Sequence, residues 1–260
     1  MTNALIGFSG FVGQTLLKQR RFECLYRSTD IGQIEGQSFD DVVCAGAPAH
    51  KWIANREPVA DLLNIESLIA HLRTIRCRHF TLISTVDVFK HPIGVNEDSA
   101  ADDADVHSYG KNRRHLEKFV ESHFPDYLIV RLPGLVGPGL RKNVIFDFLN
   151  DNHLSAIDSR GVFQFYPMVN FAFDIAIARN AGLKLIHLSA EPISVADVSA
   201  QGFGKLFEQH LANTPPIYDL RTRHAQLFGG SGHYQYSKRE TVQAVRAYAQ
   251  SEPLTSKAGG

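Results

Sequence analysis

The sequence predicts an α/β fold: a doubly wound parallel sheet with helices on both faces, followed by a small discontinuous lobe toward the C-terminus. Three observations predict this fold. Short apolar runs alternate with helical patterns over residues 3–131. The first apolar run is followed directly by three glycines spaced three residues apart. After residue 131 a loop rich in glycine and proline begins, and the alternation becomes irregular.

The first strand, turn and helix predict a phosphate-binding site. The apolar run 3–6 ends at Gly7, and apolar positions at helical spacing continue from Phe11. Gly7 permits a sharp turn, Gly10 lets a pyrophosphate approach the backbone, and Gly13 lets the helix pack closely on the strand. Free amides and the positive end of the helix dipole would hold the phosphates. The pattern predicts a Rossmann-like dinucleotide site, with a tight turn that binds nothing as the alternative. The predicted contacts are Gly7, Ser9, Gly10, Phe11, Val12 and Gly13.

The second strand, 22–26, is followed by the residues that decide the cofactor. An acidic residue there would accept hydrogen bonds from the adenosine ribose and favour NAD. The sequence has Arg27 and Ser28, which can bind a 2′-phosphate, so it favours NADP over NAD. A shifted strand boundary would bring Asp30 to this position instead. The connection to residue 40 is too short for a crossover helix with its loops, so we expect a loop.

Three further strands, 41–45, 79–84 and 127–131, are separated by helical patterns near 59–74 and 107–123. This alternation predicts a parallel sheet that is covered on both faces. Small residues after the third strand allow the adenine side of a cofactor to approach the backbone, although tight packing explains them equally well. These residues are Ala45, Gly46 and Ala47.

Hydroxyl side chains follow the fourth strand, at the edge of the sheet where open parallel sheets bind ligands. Thr85 is one of them. Tyr109 and Arg113, at i and i+4 near the start of a helix, would share one face. The cation would favour the phenolate and lower the pKa of Tyr109 from about 10 toward the working range. Because Thr85 would orient a substrate oxygen, these residues predict proton transfer.

The C-terminal half predicts a substrate lobe built from separate segments. Residues 183–188 should return to the sheet, a helix with Ser194 as its N-cap is expected over 195–210, and a closing helix over 241–249. Gln164 and Tyr166 alternate with aromatic residues, which predicts either a sugar or nucleotide pocket or core packing. The predicted division is a nucleotide-binding core of 1–133, a lobe of 134–175 and 190–235, segments 176–189 and 236–252 that return to the core, and a flexible tail of 253–260.

Four motifs occur in the order found in one enzyme family. They are the glycine spacing, Ile83-Ser84-Thr85, Tyr109-Gly110-Lys111-Asn112-Arg113 and Arg131-Leu132-Pro133-Gly134-Leu135-Val136-Gly137-Pro138. Through them the chain resembles the extended short-chain dehydrogenases/reductases, which include sugar-nucleotide epimerases, dehydratases and ketoreductases. The resemblance implies an NAD(P)-dependent oxidoreductase or epimerase that acts by hydride transfer on a hydroxyl or keto carbon of a sugar, in particular a nucleotide sugar.

The resemblance also implies roles for individual residues. Thr85 takes the place of the catalytic serine or threonine, and Tyr109 that of the acid/base. Pro133 and Gly134 lie where the family's loop passes the nicotinamide, and Asn143 resembles a substrate-contacting asparagine. A homodimer through the helices on one sheet face is common in the family.

Two departures from the family pattern matter. The family has Tyr-x-x-x-Lys, whereas this chain has Arg113 at the lysine position. Arginine keeps the charge and could still contact the nicotinamide ribose, but its planar fork is larger than an ammonium. The alternative to an enzyme is therefore a non-catalytic NAD(P)-binding sensor or scaffold protein. Dehydratases place an acid pair directly after the threonine, and the lone Asp87 favours simple hydride transfer over dehydration.

The composition excludes several classes of partner. The chain has 27 basic and 27 acidic residues without a basic block, so neither nucleic acid nor a membrane surface is expected. No apolar run reaches the length of about 18 residues that a membrane span needs. The three cysteines lie far apart and the histidines are isolated, which predicts reduced thiols, no metal site and a cytoplasmic location.

Overall fold

The computed structural model describes residues 2–102 and 104–253, so the predicted flexible tail lies outside the described residues apart from Pro253. The strands are β1 Asn3–Ile6, β2 Cys24–Tyr26, β3 Ser38–Cys44, β4 Arg76–Thr85, β5 Ile93–Val95, β6 Tyr127–Leu132, β7 Gly134–Val136, β8 Val162–Phe163, β9 Phe165–Pro167, β10 Leu185–His187, β11 Ile193–Ser194 and β12 Asp219–Leu220. The helices are α1 Phe11–Gln19, α2 Lys51–Arg56, α3 Pro58–Leu72, α4 Ser108–His123, α5 Val144–Asn150, α6 Phe171–Asn180, α7 Val195–Asp197 and α8 Lys238–Ser251.

The main sheet of the described chain has six parallel strands in the order β2-β1-β3-β4-β6-β10. Helices connect most of these strands, and the predicted Rossmann-like α/β fold is confirmed. The carboxyl ends of β1, β3 and β4 are neighbours in this order. Gly7 and Ala45, which follow β1 and β3, and Thr85, the last residue of β4, therefore lie at one edge of the sheet.

The connection between β2 and β3 holds a single 3₁₀ turn, Ile31–Ile34, in place of a crossover helix. The segment is too short for a helix with its loops, as its length predicts. As a result β3 pairs directly with β1, and β2 is left at the edge of the sheet.

The first of two compact units comprises the residues up to Pro92, Asn96–Leu132 and Phe171–His187. Its core is formed by apolar side chains of the strands and by the inward stripe of α3. Val42, Phe80 and Leu82 are fully or almost fully buried in this core, as is Leu72 of α3. Burial of these side chains stabilises the sheet that carries the strand-end residues.

The second unit comprises Ile93–Val95, Pro133–Asn170 and the chain from Leu188 onward. It contains the strand pairs β7/β9, β8/β11 and β5/β12. Helix α8 begins with a capping box formed by Ser237 and Glu240. Its buried side chains include Val242, Val245 and Tyr248, and it packs against β7 and β9, whereas the sequence assigned 236–252 to the core.

The helix predicted over 195–210 is shorter than expected. Ser194 is its N-cap as predicted, and its side chain accepts a hydrogen bond from the Asp197 amide. The chain continues from α7 as a π-helix, Val198–Gly202, and then leaves helical geometry. Gly204 has a φ of +67°, in the left-handed region, which stops a right-handed helix. The prediction was therefore wrong about the C-terminal half of this helix.

Candidate functional site

The turn after β1 needs two of its glycines for close backbone packing. Gly7 has a φ of +83°, and a Cβ atom there would overlap the carbonyl group of Ala45. A Cβ atom on Gly13 would overlap the carbonyl oxygen of Gly7. These two glycines therefore bring β1, the start of α1 and the end of β3 together, whether or not a ligand binds.

The third glycine lies in open space. Gly10 is the N-cap of α1, and a Cβ atom there would meet only the Gly7 oxygen, at 3.5 Å. No side chain caps this helix, and among the described residues no acceptor is found for the amides of Phe11, Val12 and Gly13. Ser9 and Gly10 are exposed. Open backbone amides at a helix N-terminus fit the pyrophosphate of a dinucleotide.

The residues after β2 form a turn that contains both candidates for the ribose contact. The amide of Arg27 donates to Asp30 Oδ1 at 2.7 Å, and its Nε lies 3.5 Å from Asp30 Oδ2. About half of the Arg27 side chain is exposed, and Ser28 is exposed as well. The turn thus presents a cation and a hydroxyl together with a carboxylate that could accept from ribose hydroxyls.

The small residues after β3 pack tightly against β1 and the core. The amide of Ala45 donates to the Ile6 carbonyl and extends the β1/β3 pairing. A Cβ atom on Gly46 would lie 3.0 Å from the Ile6 side chain, and Ala47 packs against the core of the first unit. Packing against β1 accounts for the small side chains, and a contact with a cofactor stays a prediction.

Thr85 and Tyr109 come together at the end of β4. Thr85 Oγ1 accepts from the Asp87 amide at 3.2 Å, and the Thr85 side chain lies close enough to the Tyr109 phenol to lower its pKa. A Cβ atom on Gly110 would overlap the Asp87 carbonyl, so a glycine after the tyrosine lets α4 approach the β4 end this closely. This pair is the arrangement that proton transfer to a substrate oxygen requires.

The expected lowering of the Tyr109 pKa was wrong. Tyr109 is 7% exposed, and its burial raises the pKa of the phenol above the ordinary value. Arg113 and the neighbouring Thr85 hydroxyl lower this pKa, and Asp87 raises it, but burial is the largest effect. The phenol is therefore protonated at neutral pH.

Arg113 is buried and ion-paired. Its Nη1 donates to Asp61 of α3, and its Nη2 donates to the carbonyl of Pro48. Asn112 Nδ2 also donates to Asp61, at 2.7 Å. The guanidinium carbon lies 4.0 Å from the centroid of the Tyr109 ring. Arg113 thus lies against the face of the tyrosine, with its charge paired to Asp61.

Helix α2 adds two polar side chains that the sequence analysis missed. Asn55 accepts from the backbone amide of Tyr109 at 2.9 Å, and Lys51, one turn earlier, lies 2.7 Å from Asp87 Oδ1. The helix has six residues and no side-chain cap, so the sequence of this segment has no clear helical pattern. Asp61 had a signal, because it occupies the buried stripe of α3 with Ile65, where a carboxylate needs a partner.

The substrate residues predicted in the second unit have structural partners. Asn143 caps α5 by accepting from the Ile145 amide, and it donates to the Leu135 carbonyl. Gln164 is 1% exposed and bonds to the backbone of Ala190 and Leu220. These bonds favour core packing over ligand binding for Gln164.

The neighbouring predicted residues of this unit are also packed. Tyr166 is fully buried and packs edge-on against Tyr236, which favours the core alternative for it too. Pro133 is buried, and a Cβ atom on Gly134 would lie 2.7 Å from the Gln164 carbonyl oxygen. The glycine therefore permits the β7/β9 pairing, and the predicted nicotinamide contact of this loop stays a prediction.

Over 2–102 and 104–253, no group of three or more His, Cys, Asp or Glu side chains could hold a metal ion. Within the same ranges, every helix is too short or too polar to cross a membrane.

No family model and no curated protein matches the sequence. Solved structures match over almost the whole chain. A dTDP-4-dehydrorhamnose reductase from Clostridium acetobutylicum is 16% identical, with a TM-score of 0.72 over 96% of this chain and 99% of its own. A UDP-glucuronic acid 4-epimerase from Bacillus cereus in complex with NAD is 16% identical, with a TM-score of 0.69 over 96% of both chains.

A third structure, RMD from Pseudomonas aeruginosa complexed with NADPH, is 15% identical, with a TM-score of 0.67 over 96% of this chain and 99% of its own. At these identities the comparisons show the fold. The resemblance seen in the sequence motifs is thus confirmed at that level: the chain has the fold of the nucleotide-sugar epimerases and reductases of the extended short-chain dehydrogenase/reductase group.

Proposed function

We propose that the protein is an NAD(P)-dependent oxidoreductase or epimerase that acts on a hydroxyl or keto carbon of a nucleotide sugar. The observation that carries the proposal is the Thr85–Tyr109 pair, which lies at the same edge of the sheet as the open amides of α1. The structures with this fold include a dehydrorhamnose reductase, an epimerase bound to NAD and a protein bound to NADPH, which supports the class of cofactor and substrate.

The bound nicotinamide cofactor would supply or accept the hydride, which no side chain can do. Tyr109 exchanges a proton with the substrate oxygen, and Thr85 orients that oxygen by hydrogen bonding. Because burial raises the pKa of Tyr109, the phenol starts as a proton donor. That protonation state favours reduction of a keto sugar over oxidation of an alcohol.

The turn after β2 supports NADP over NAD. Arg27 is half exposed, and Ser28 lies beside it, so both could reach a 2′-phosphate. Asp30 favours NAD in the same turn, and its contacts with Arg27 reduce the free positive charge there. We infer a preference for NADP, which separate titrations with NADPH and NADH would test.

The homodimer and the cytoplasmic location belong to the same proposal. Helix α3 exposes apolar side chains on the outside of the first unit, namely Val59, Leu62 and Leu63. An exposed apolar patch on one helix is a feature of surfaces that bind a partner. Size-exclusion chromatography with light scattering would give the oligomeric state.

The second candidate function is a non-catalytic NAD(P)-binding sensor or scaffold protein. Its support is the Arg113–Asp61 pair. Arg113 stands where the family has its active-site lysine, and its charge is already paired with Asp61. This candidate predicts cofactor binding without turnover of any nucleotide keto sugar.

Calorimetric titration with NADPH and NADH, followed by a screen of nucleotide keto sugars, distinguishes these functions. We expect binding of a cofactor and turnover, and Tyr109→Phe should lower kcat by a factor of roughly 10² or more because it removes the proton donor. The Kd of the cofactor should be unchanged in this variant. Full activity of Tyr109→Phe would overturn the assignment, and binding with no turnover would favour the sensor.

A further inference from the structure

Asp61 is a buried carboxylate whose partners come from α4. Its side chain is 5% exposed and accepts from Asn112 Nδ2 and Arg113 Nη1. The Arg113 side chain is 3% exposed. Removing one partner of such a pair would leave a buried charge uncompensated, which is strongly destabilising. The two residues therefore form a matched buried pair.

The guanidinium of Arg113 uses its shape as well as its charge. One terminal nitrogen donates to Asp61, the other to the carbonyl of Pro48, and the carbon lies 4.0 Å from the centroid of the Tyr109 ring. The remaining Nε is buried without a hydrogen-bond partner. A lysine carries all its donors on a single nitrogen and lacks the planar fork that places one nitrogen at each acceptor and the carbon over the ring.

The charged and titratable groups around Tyr109 are balanced. Arg113 is paired with Asp61, and Lys51 is paired with Asp87. His107, just before α4, is held as a hydrogen-bond acceptor by the Gly110 amide. Two cations thus face two carboxylates, and neither cation acts on the phenol without an opposing charge nearby.

We propose that Asp61 is a positioning residue, which holds the Arg113 guanidinium against the Tyr109 ring and cancels its charge there, so that Tyr109 remains a proton donor. The role of Asp61 in catalysis rests on the proposed function. The physical claim concerns the protonation of Tyr109 and holds with or without turnover. In a reductase, the arrangement would favour protonation of the substrate oxygen over its deprotonation.

The test is an NMR pH titration of cofactor-free protein labelled with [¹³Cζ]tyrosine, in which Tyr109→Phe assigns the Tyr109 signal. In the wild type, Tyr109 should not ionise below about pH 10. Asp61→Asn should lower the pKa of Tyr109 by roughly one unit or more, because the cation is then unopposed. The double variant Asp61→Asn with Arg113→Gln should restore the high pKa, since it removes both charges.

Asp41→Asn is the matched control, because Asp41 is also a buried carboxylate and pairs with Arg20 and Arg179. It should lower the melting temperature and leave the pKa of Tyr109 unchanged. A folded Asp61→Asn protein with an unchanged Tyr109 pKa would overturn the proposal. If Asp61→Asn does not fold, the wild-type titration decides, because ionisation of Tyr109 well below pH 10 contradicts it. Failure of the proposed function would appear separately, as absence of cofactor binding or turnover.

Discussion

The glycines of the first turn differ in what a side chain would meet. A Cβ atom on Gly7 would overlap the backbone of Ala45, whereas on Gly10 it would have only the Gly7 oxygen, at 3.5 Å, nearby. Gly10 also has a φ of −77°, which any residue adopts. The fold itself therefore requires glycine at position 7 but makes no such demand at position 10.

Alanine substitutions separate these two roles. Gly7→Ala should lower the free energy of unfolding by more than the roughly 1–2 kcal/mol that a left-handed backbone costs an L-residue, because the overlap adds to it. Gly10→Ala should unfold like the wild type, yet bind cofactor roughly tenfold or more weakly through loss of backbone contact with phosphate. Urea unfolding and calorimetry measure the two effects. Equal cofactor affinity in Gly10→Ala would contradict a phosphate site at α1.

At the scale of the element, the first turn of α4 depends on a neutral histidine. His107 Nδ1 accepts from the Gly110 amide at 3.1 Å and so acts as the N-cap. Burial lowers the pKa of His107, and Lys51 lowers it further. A protonated ring could not accept this bond, and its charge would oppose the positive end of the helix dipole. The turn that carries Tyr109 should therefore weaken in acid.

The free energy of unfolding should fall as the pH decreases from about 6.5, because the unfolded chain then binds a proton that the folded His107 resists. His107→Asn keeps a capping oxygen without titrating, so its stability should depend less on pH in this range. Part of the dependence should remain, since burial also lowers the pKa of His79. Urea unfolding between about pH 7 and 5 measures this. The exposed His210→Asn is the control, and an equal slope in His107→Asn would contradict the prediction.

The strands and long helices of the first unit could be predicted because each has a strong local pattern. Thr85 and Tyr109 could be paired because strand ends in a parallel sheet point to one edge. The partner of Arg113 could not be predicted, since Asp61 lies 52 residues away on another helix. Helix α2 was missed because it is short and uncapped. The pKa of Tyr109 is raised because the phenol is buried. The i, i+4 spacing of Tyr109 and Arg113 predicts that they share a helix face but says nothing about burial.

At the scale of the whole molecule, a second buried charge network holds α4 on the sheet. Glu117, fully buried, accepts from Ser84 of β4, Arg131 of β6 and Arg114 of its own helix. Arg131 is also buried and contacts His187 of β10. The network therefore connects one helix to three strands of the first unit, directly behind the strand end that carries Thr85.

Glu117→Gln should lower the free energy of unfolding by about 3–5 kcal/mol, because it leaves Arg131 buried without a carboxylate. The exposed pair of Arg56 and Glu57 offers a matched control, and Arg56→Gln should cost about 1 kcal/mol or less. Urea unfolding measures both variants. A cost for Glu117→Gln no larger than that of the control would show that the network does not stabilise the fold.

The main sheet ends on both sides in a strand of three residues, β2 and β10. An edge strand exposes backbone donors and acceptors that can pair with another chain and start aggregation. Because each edge strand is so short, a strand of another chain could form only a few backbone hydrogen bonds with it. The same brief connection that left β2 at the edge of the sheet thus helps the protein resist edge-to-edge aggregation at high concentration.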